Sequence, residues 1–445
     1  MIYTFYTAKE ICDSAAKGYC MFYTAKKGNK KMIRPLIAVL AIAASFGVAN
    51  AFTVDADMPA GNIIVNSVEG GVVKVRQDFR DTPGHWIYWA FRVKGAAGRT
   101  LTFDFGDSAA VGSRGAAVST DRGRTWRWSD FEMDDPRDPV TGDHKSYTTF
   151  TWKFAAGEDE TWFSQTIPYT QSDWESFLAA HAEDYGTVFV TNTLCLSRKG
   201  RPVEMGRFGR IDGKAKYRMF VTSRHHCAET TATFVMEGLL SAVFGDDDLG
   251  RWMRENIEIR AVPFVDKDGV VDGDQGKNRR PYDHCRDYND DKPSIHPEIK
   301  AIREMLEKWA KESGTPSVVM DLHCPWLRGS WLKKDDSNEY IYAVGIKDVE
   351  PQQRRICEIL ERVQESGSGF LASDYYAEGR GWNTGANYKA GSTLTQWAIR
   401  TWPDAPLVVC FEIPFANARR MTLTQPAFRL FGRDIALALK AYLEP

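Results

Sequence analysis

Cysteine is sparse in this chain of 445 residues, and no two cysteines stand in a C-x-x-C pair. That absence excludes a disulfide-built miniature scaffold and a cysteine-only zinc knuckle. Excess positive charge is also missing. With 57 basic and 59 acidic residues, a net charge of -2 argues against nucleic acid held through bulk charge, so no nucleic-acid partner is expected. No internal repeat or low-complexity tract interrupts the chain, and 43% hydrophobic residues is the profile of an ordinary globular protein. The length allows two or three domains, each with its own core.

Long apolar runs are missing too. The longest near the start, Leu36 to Val48, has 13 residues, too few for the ~20 that a membrane-crossing helix needs, and no permanent membrane span is expected. Lys30, Lys31 and Arg34 flank Met32 ahead of this run, and Ala49-Asn50-Ala51 follows it with small residues. The pattern reads as a secretory signal over residues 32–51, preceded by an extension, 1–31, with no assigned role. It predicts an exported protein, periplasmic or extracellular, that begins at Phe52. Six cysteines follow (Cys195, Cys227, Cys285, Cys324, Cys357, Cys410), an even number that an oxidising compartment can pair.

Beyond the signal the texture has two parts. Residues 52–165 read as short strands between Gly, Asp and Arg turns, with aromatic and branched runs at Trp86–Val93 and Leu101–Phe105, so an all-β sandwich domain is expected. Within it Ser119 to Trp126 carries the S-x-D-x-G-x-T-W pattern of a hairpin staple, with Asp121 bonding the turn backbone. Residues 166–445 alternate strands and helices. Ser172 to Glu175 reads as a capping box opening the first helix. Strands are expected at Val188–Val190, Tyr217–Thr222, Ile257–Val265, Val318–Leu322 and Leu407–Ile413. Helices are expected from Thr230 to Phe244 and from Pro297 to about Glu312. Buried apolar strands alternating with helices predict an α/β domain with a mixed sheet.

Three strand ends carry polar residues where burial favours apolar ones. The strand ending at Thr222 runs into His225, His226 and Glu229, and the spacing of three puts His226 and Glu229 on one side of a turn, able to share a metal ion. A second strand delivers His323 and a third Glu412. Ligands of open α/β sheets bind beyond the carboxyl ends of the strands, so these residues can converge on one cleft. Two histidines and a glutamate make a three-donor site with an open position, and a separate glutamate is the base such a site needs.

His226-Cys-Ala-Glu229, Asp266-Lys-Asp268-Gly269, Arg280 nine residues before Asn289, Asp321-Leu-His323 and Phe411-Glu412-Ile-Pro together resemble the zinc carboxypeptidases. The likeness runs in order over about residues 60–440. It is nearest to the cytosolic-carboxypeptidase-like branch, in which a β-sandwich precedes the catalytic domain, as Ile167 to Asp173 and the aromatic strand at Trp86–Phe91 also suggest. The resemblance implies one zinc per chain, held by His226, Glu229 and His323, with His225 as the rival to His226. It makes Glu412 the proton shuttle and Arg280 the group that polarises the scissile carbonyl, with Arg279 as the fallback. Asn289, Asp290 and Tyr388 fall at substrate-contacting positions.

One position departs from the family's pattern. Asp290 stands where an arginine ordinarily grips the substrate's terminal carboxylate, and an aspartate there would repel it unless Arg286 or another arginine substitutes. The reading is therefore a secreted zinc metallocarboxypeptidase acting on a peptide substrate. A zinc amidohydrolase on cell-wall peptides or N-acyl amino acids, and an inactive binding module, are the alternatives. The Asp-rich stretch from Asp266 to Asp274 lacks EF-hand order and is expected to be a solvated or turn-forming loop.

Overall fold

The first sheets form because β-branched and aromatic residues alternate with polar ones. In the strand Val72–Arg76 (β3), Val73 and Val75 point inward while Lys74 and Arg76 face water. Structure here comes from a computed structural model that describes residues 52–84, 86–108, 110–112, 114–129, 148–185, 187–327, 339–419 and 421–445. The expected signal at 32–51 and the extension at 1–31 lie outside the described residues.

A five-stranded sheet, in the order Thr53–Asp55 (β1), Ala90–Lys94 (β4), Glu160–Ser164 (β9), Ala117–Ser119 (β6) and Arg127–Trp128 (β7), faces a four-stranded one. The second runs Ile64–Glu69 (β2), β3, Thr100–Asp104 (β5) and Thr149–Lys153 (β8). Trp89, Phe91, Phe103, Phe150 and Phe163 fill the space between them, ring against ring at 4.9–5.6 Å. The staple forms on the turn between β6 and β7, where the Asp121 carboxylate accepts from Thr125 N at 2.9 Å and Thr125 Oγ1 at 2.7 Å.

The second part is a seven-stranded mixed sheet. Its order is Phe189–Leu196 (β10), Pro202–Gly209 (β11), Ile257–Val262 (β13), Tyr217–Ser223 (β12), Val318–His323 (β14), Leu407–Glu412 (β16) and Tyr342–Ala343 (β15). Pairings of β12 with β13 and β14, and of β14 with β16, are parallel, whereas the edge pairings are antiparallel. The parallel strands β12, β14 and β16 are buried along most of their length, which is why they read as near-continuous apolar runs.

Helices cover both faces, including Thr231–Ser241, Pro297–Ser313 and Gln425–Leu443. The first and last of these cross at two glycines. A Cβ at Gly238 would lie 2.0 Å from the Arg429 carbonyl oxygen, so the crossing admits no side chain there.

Two sequence expectations need correction at this level. The first helix begins at Gln171, and Asp173, rather than Glu175, closes its start by accepting from Thr170 N at 2.7 Å. The Asp266–Asp274 stretch is not a solvated loop: Lys267–Asp272 is a short helix, and Asp266 is 1% exposed.

Candidate functional site

The strand β12 ends in a tight turn whose Arg224 sits buried at φ +63°, its guanidinium donating to Cys227 O at 2.6 Å and Tyr169 O at 3.0 Å. This turn aims His226 and Glu229 the same way, with Glu229 N bonded to His226 O at 3.2 Å. His323 arrives at the end of β14 and Glu412 at the end of β16, where they are register partners. All four line one cavity of about 260 Å³.

His226 Nδ1 is 2.8 Å from Glu229 Oε1, and His323 Nδ1 is 2.7 Å from Glu229 Oε2. One donor atom from each lies within 4.8 Å of the others. The opposite nitrogens face carboxylates, His323 Nε2 with Asp321 at 2.9 Å and His226 Nε2 with Asp283 at 3.7 Å. A carboxylate behind each imidazole orients the ring and makes its forward nitrogen a better metal donor. Burial pushes the Glu229 carboxyl up, but His226 and His323 outweigh it and hold it well below the usual range. Burial lowers the affinity of His226 for its proton, yet Glu229 overrides this and brings it up to about 10. Two imidazoles and an ionised carboxylate converging in a dry site are a fitting donor set for a divalent cation, whose charge replaces those protons.

His225, the rival, has both ring nitrogens engaged, with Asp321 Oδ1 at 3.0 Å and Tyr288 Oη at 2.8 Å. It therefore buttresses Asp321. The Glu412 carboxyl is pushed up to about 7 by burial, and its Oε2 has no hydrogen-bond partner. A buried carboxylate oxygen left unpaired is costly unless something enters the cavity to meet it.

The expected cationic and substrate residues fare differently. Arg280 is exposed and absent from the cavity wall, which corrects its expected place opposite a scissile carbonyl. Arg279, the fallback, is spent on Asp81 at 3.1 Å, Asp274 at 3.2 Å and Asp266. Asp290 also lies outside the wall, half-exposed, with its carboxylate 2.8 Å from Arg400 and 3.6 Å from Arg303, so it is a surface loop residue and no like charge enters the cleft there. Asn289 turns away from the cavity as well, accepting from Ser392 N at 3.0 Å and donating to Arg286 O at 2.9 Å. Tyr388 does line the cavity, its hydroxyl donating to Asn383 Oδ1 at 2.6 Å.

The cations in the wall are Lys277, with Nζ 3.7 Å from Glu229 Oε1, and Arg286, which lies over the Tyr388 ring and donates to Cys285 Sγ at 3.0 Å. Lys277 had no sequence signal. Its loop is gripped by the sandwich: Asp81 accepts from Gln275 N and Gly276 N, Thr82 Oγ1 donates to Lys277 O, and Gln275 exchanges two bonds with the Tyr88 backbone. Trp86, from the same sandwich segment, completes the wall. For Asp321 a signal existed, since a residue two before His323 on a strand faces the same side.

No family model matches the chain. In sequence it is 28% identical over 239 residues to a cytosolic carboxypeptidase 1 from Xenopus laevis and 26% identical over 220 residues to the human protein of that name. These stretches cover 50% and 46% of this chain but only 19% and 17% of those proteins. In structure it resembles a metallo-carboxypeptidase from Burkholderia cenocepacia (TM-score 0.67, 16% identity, 88% of this chain and 99% of the other). It also resembles one from Pseudomonas aeruginosa (TM-score 0.66, 19% identity, 88% and 99%). The fold is thus that of the metallo-carboxypeptidases. The relatives also correct the expected export, since the proteins matched are named cytosolic carboxypeptidases. Among the described residues no helix is long and apolar enough to cross a membrane.

Proposed function

We propose that the chain is a zinc carboxypeptidase of the cytosolic-carboxypeptidase-like kind and that it removes residues from the C-terminal end of peptides. The observation that carries the reading is the unpaired Glu412 Oε2 beside the His226–Glu229–His323 donor set, in a cavity that also holds two cations. Zinc is the metal that two imidazoles and a carboxylate suit, one ion per chain at this set. When bound, it supplies Lewis-acid polarisation of the reacting oxygens.

The chain's own groups do the rest. Glu412 takes a proton from the attacking water at Oε2 and later gives it to the leaving amine, a double role favoured by a carboxyl that titrates near neutral pH. Lys277, the cation nearest the donor set, stabilises the negative charge that develops on the carbonyl oxygen. Arg286 pairs with the substrate's terminal carboxylate, and Tyr388 closes over it. Asp321 and Asp283 keep the imidazoles oriented. Residues 52–165 serve as a sandwich domain that builds one wall of the cleft, and 166–445 as the catalytic domain.

With Asp290 outside the cleft, the amidohydrolase alternative loses the feature that motivated it. Mass spectrometry of products from peptides with free and with amidated C-termini tests the proposal. Single-residue trimming of the free peptides alone is expected, and equal cleavage of both would overturn it.

A further inference from the structure

A second donor set lies outside the cavity wall. His284, His296 and Glu298 each offer an atom within 4.8 Å of the others, and none of the three lines the cavity. They are 4%, 4% and 2% exposed. We propose that this set is a second, structural binding site for a transition-metal dication such as zinc.

Three observations carry the assignment. Glu298 Oε2 is buried without a hydrogen-bond partner, and His284 Nε2 lies 3.4 Å from it. An unsatisfied carboxylate oxygen in a dry interior needs a counter-charge. The imidazoles of His284 and His296 stack at 3.8 Å, an arrangement that disfavours two protonated rings and suits two neutral donors. His296 Nε2 faces Tyr282 O at 3.2 Å, which fixes the proton there and leaves Nδ1 as the donor atom.

Asp266 Oδ1, 4.0 Å from His284 Nε2, accepts from Gly269 N at 3.0 Å and stays outside this three-donor set, whose fourth position is open to a water. Of the cations nearby, Arg279, 3.5 Å from His284 Nδ1, is already surrounded by Asp81, Asp266 and Asp274, and Arg198 donates to Ile295 O at 2.7 Å. Two imidazoles with carboxylate oxygens select zinc-like ions over magnesium or calcium. A fully enclosed set excludes substrate, which makes the role structural. Such an ion would staple the segment carrying Asp283, Cys285 and Arg286 to the start of the helix Pro297–Ser313.

The test is a metal count on the full chain, stripped by chelator, reloaded with zinc and dialysed. Two zinc per chain are expected for the wild type, one for Glu298→Gln and one for His323→Ala. Because the His323→Ala chain has an intact second site, its titration with Co2+ alone should show one equivalent taken up and should raise Tm. No uptake by that variant, or a Glu298→Gln chain that holds as many ions as the wild type, would overturn the proposal and leave Glu298 simply packed against His284. The Co2+ arm reads the second site alone, so failure of the proposed catalytic chemistry would leave its result intact.

Discussion

His323 and Glu412 are register partners on the neighbouring parallel strands β14 and β16, so a main-chain ladder sets the distance between them. The separation of a metal donor from a base is then as rigid as the sheet, in contrast to the loop that carries Lys277 and Arg286.

Replacing Glu412 by Gln removes the base without changing the shape of the wall. Turnover should fall by ~100-fold or more, the usual contribution of a positioned general base. Zinc content, measured by elemental analysis, should stay at the wild-type value. A variant with wild-type turnover would take Glu412 out of the chemistry.

The Glu412 carboxyl is held near about 7 by burial. Only the ionised form can accept a proton, so kcat/KM should rise with pH on a limb whose midpoint lies well above the ordinary carboxylate range of ~4. A rate that stays flat from pH 8 down to pH 5 would contradict this.

Arg286 and Asp290 carry opposite predictions, because the first lines the cavity and the second does not. Arg286→Ala should raise KM on peptides with free C-termini by ~10-fold or more, since a charge-assisted bond contributes about 1.5–3 kcal/mol. Arg280→Ala and Asp290→Asn should change kcat/KM by less than about threefold. Steady-state kinetics on one short peptide separates the three.

Arg279 is the shared cation of Asp81, Asp266 and Asp274, and Asp81 belongs to the sandwich segment. Arg279→Met leaves three carboxylates without it and should cost about 3–5 kcal/mol, the range for breaking a buried pair. Thermal or denaturant unfolding monitored by circular dichroism checks this, and a loss below about 1 kcal/mol would show the cluster to be solvated.

The donor residues were legible because burial leaves a mark on sequence. Strands β12, β14 and β16 are apolar almost to their ends, so His226, His323 and Glu412 stand out as polar exceptions. The strand β11 did not stand out, because Glu204, Gly206 and Arg207 break its apolar pattern. The cavity cations were misread for a different reason. Which residue of 273–286 turns inward depends on bonds to Asp81 and Thr82, about two hundred positions earlier, and no local spacing encodes that. Counting from Asn289 thus selected Arg280, which is exposed, over Lys277, while Arg286 entered only as a substitute for the arginine missing at Asp290.

Trp86 and Ile87 enter the cavity wall from a segment otherwise organised around the sandwich's aromatic core, while His226, His323 and Glu412 rest on the seven-stranded sheet. Catalytic competence is therefore a joint property of two cores, and on heating it should fail at the temperature of the weaker one. If the aromatic core melts first, activity vanishes while the metal-binding sheet is still intact, and cooling before the second transition restores it.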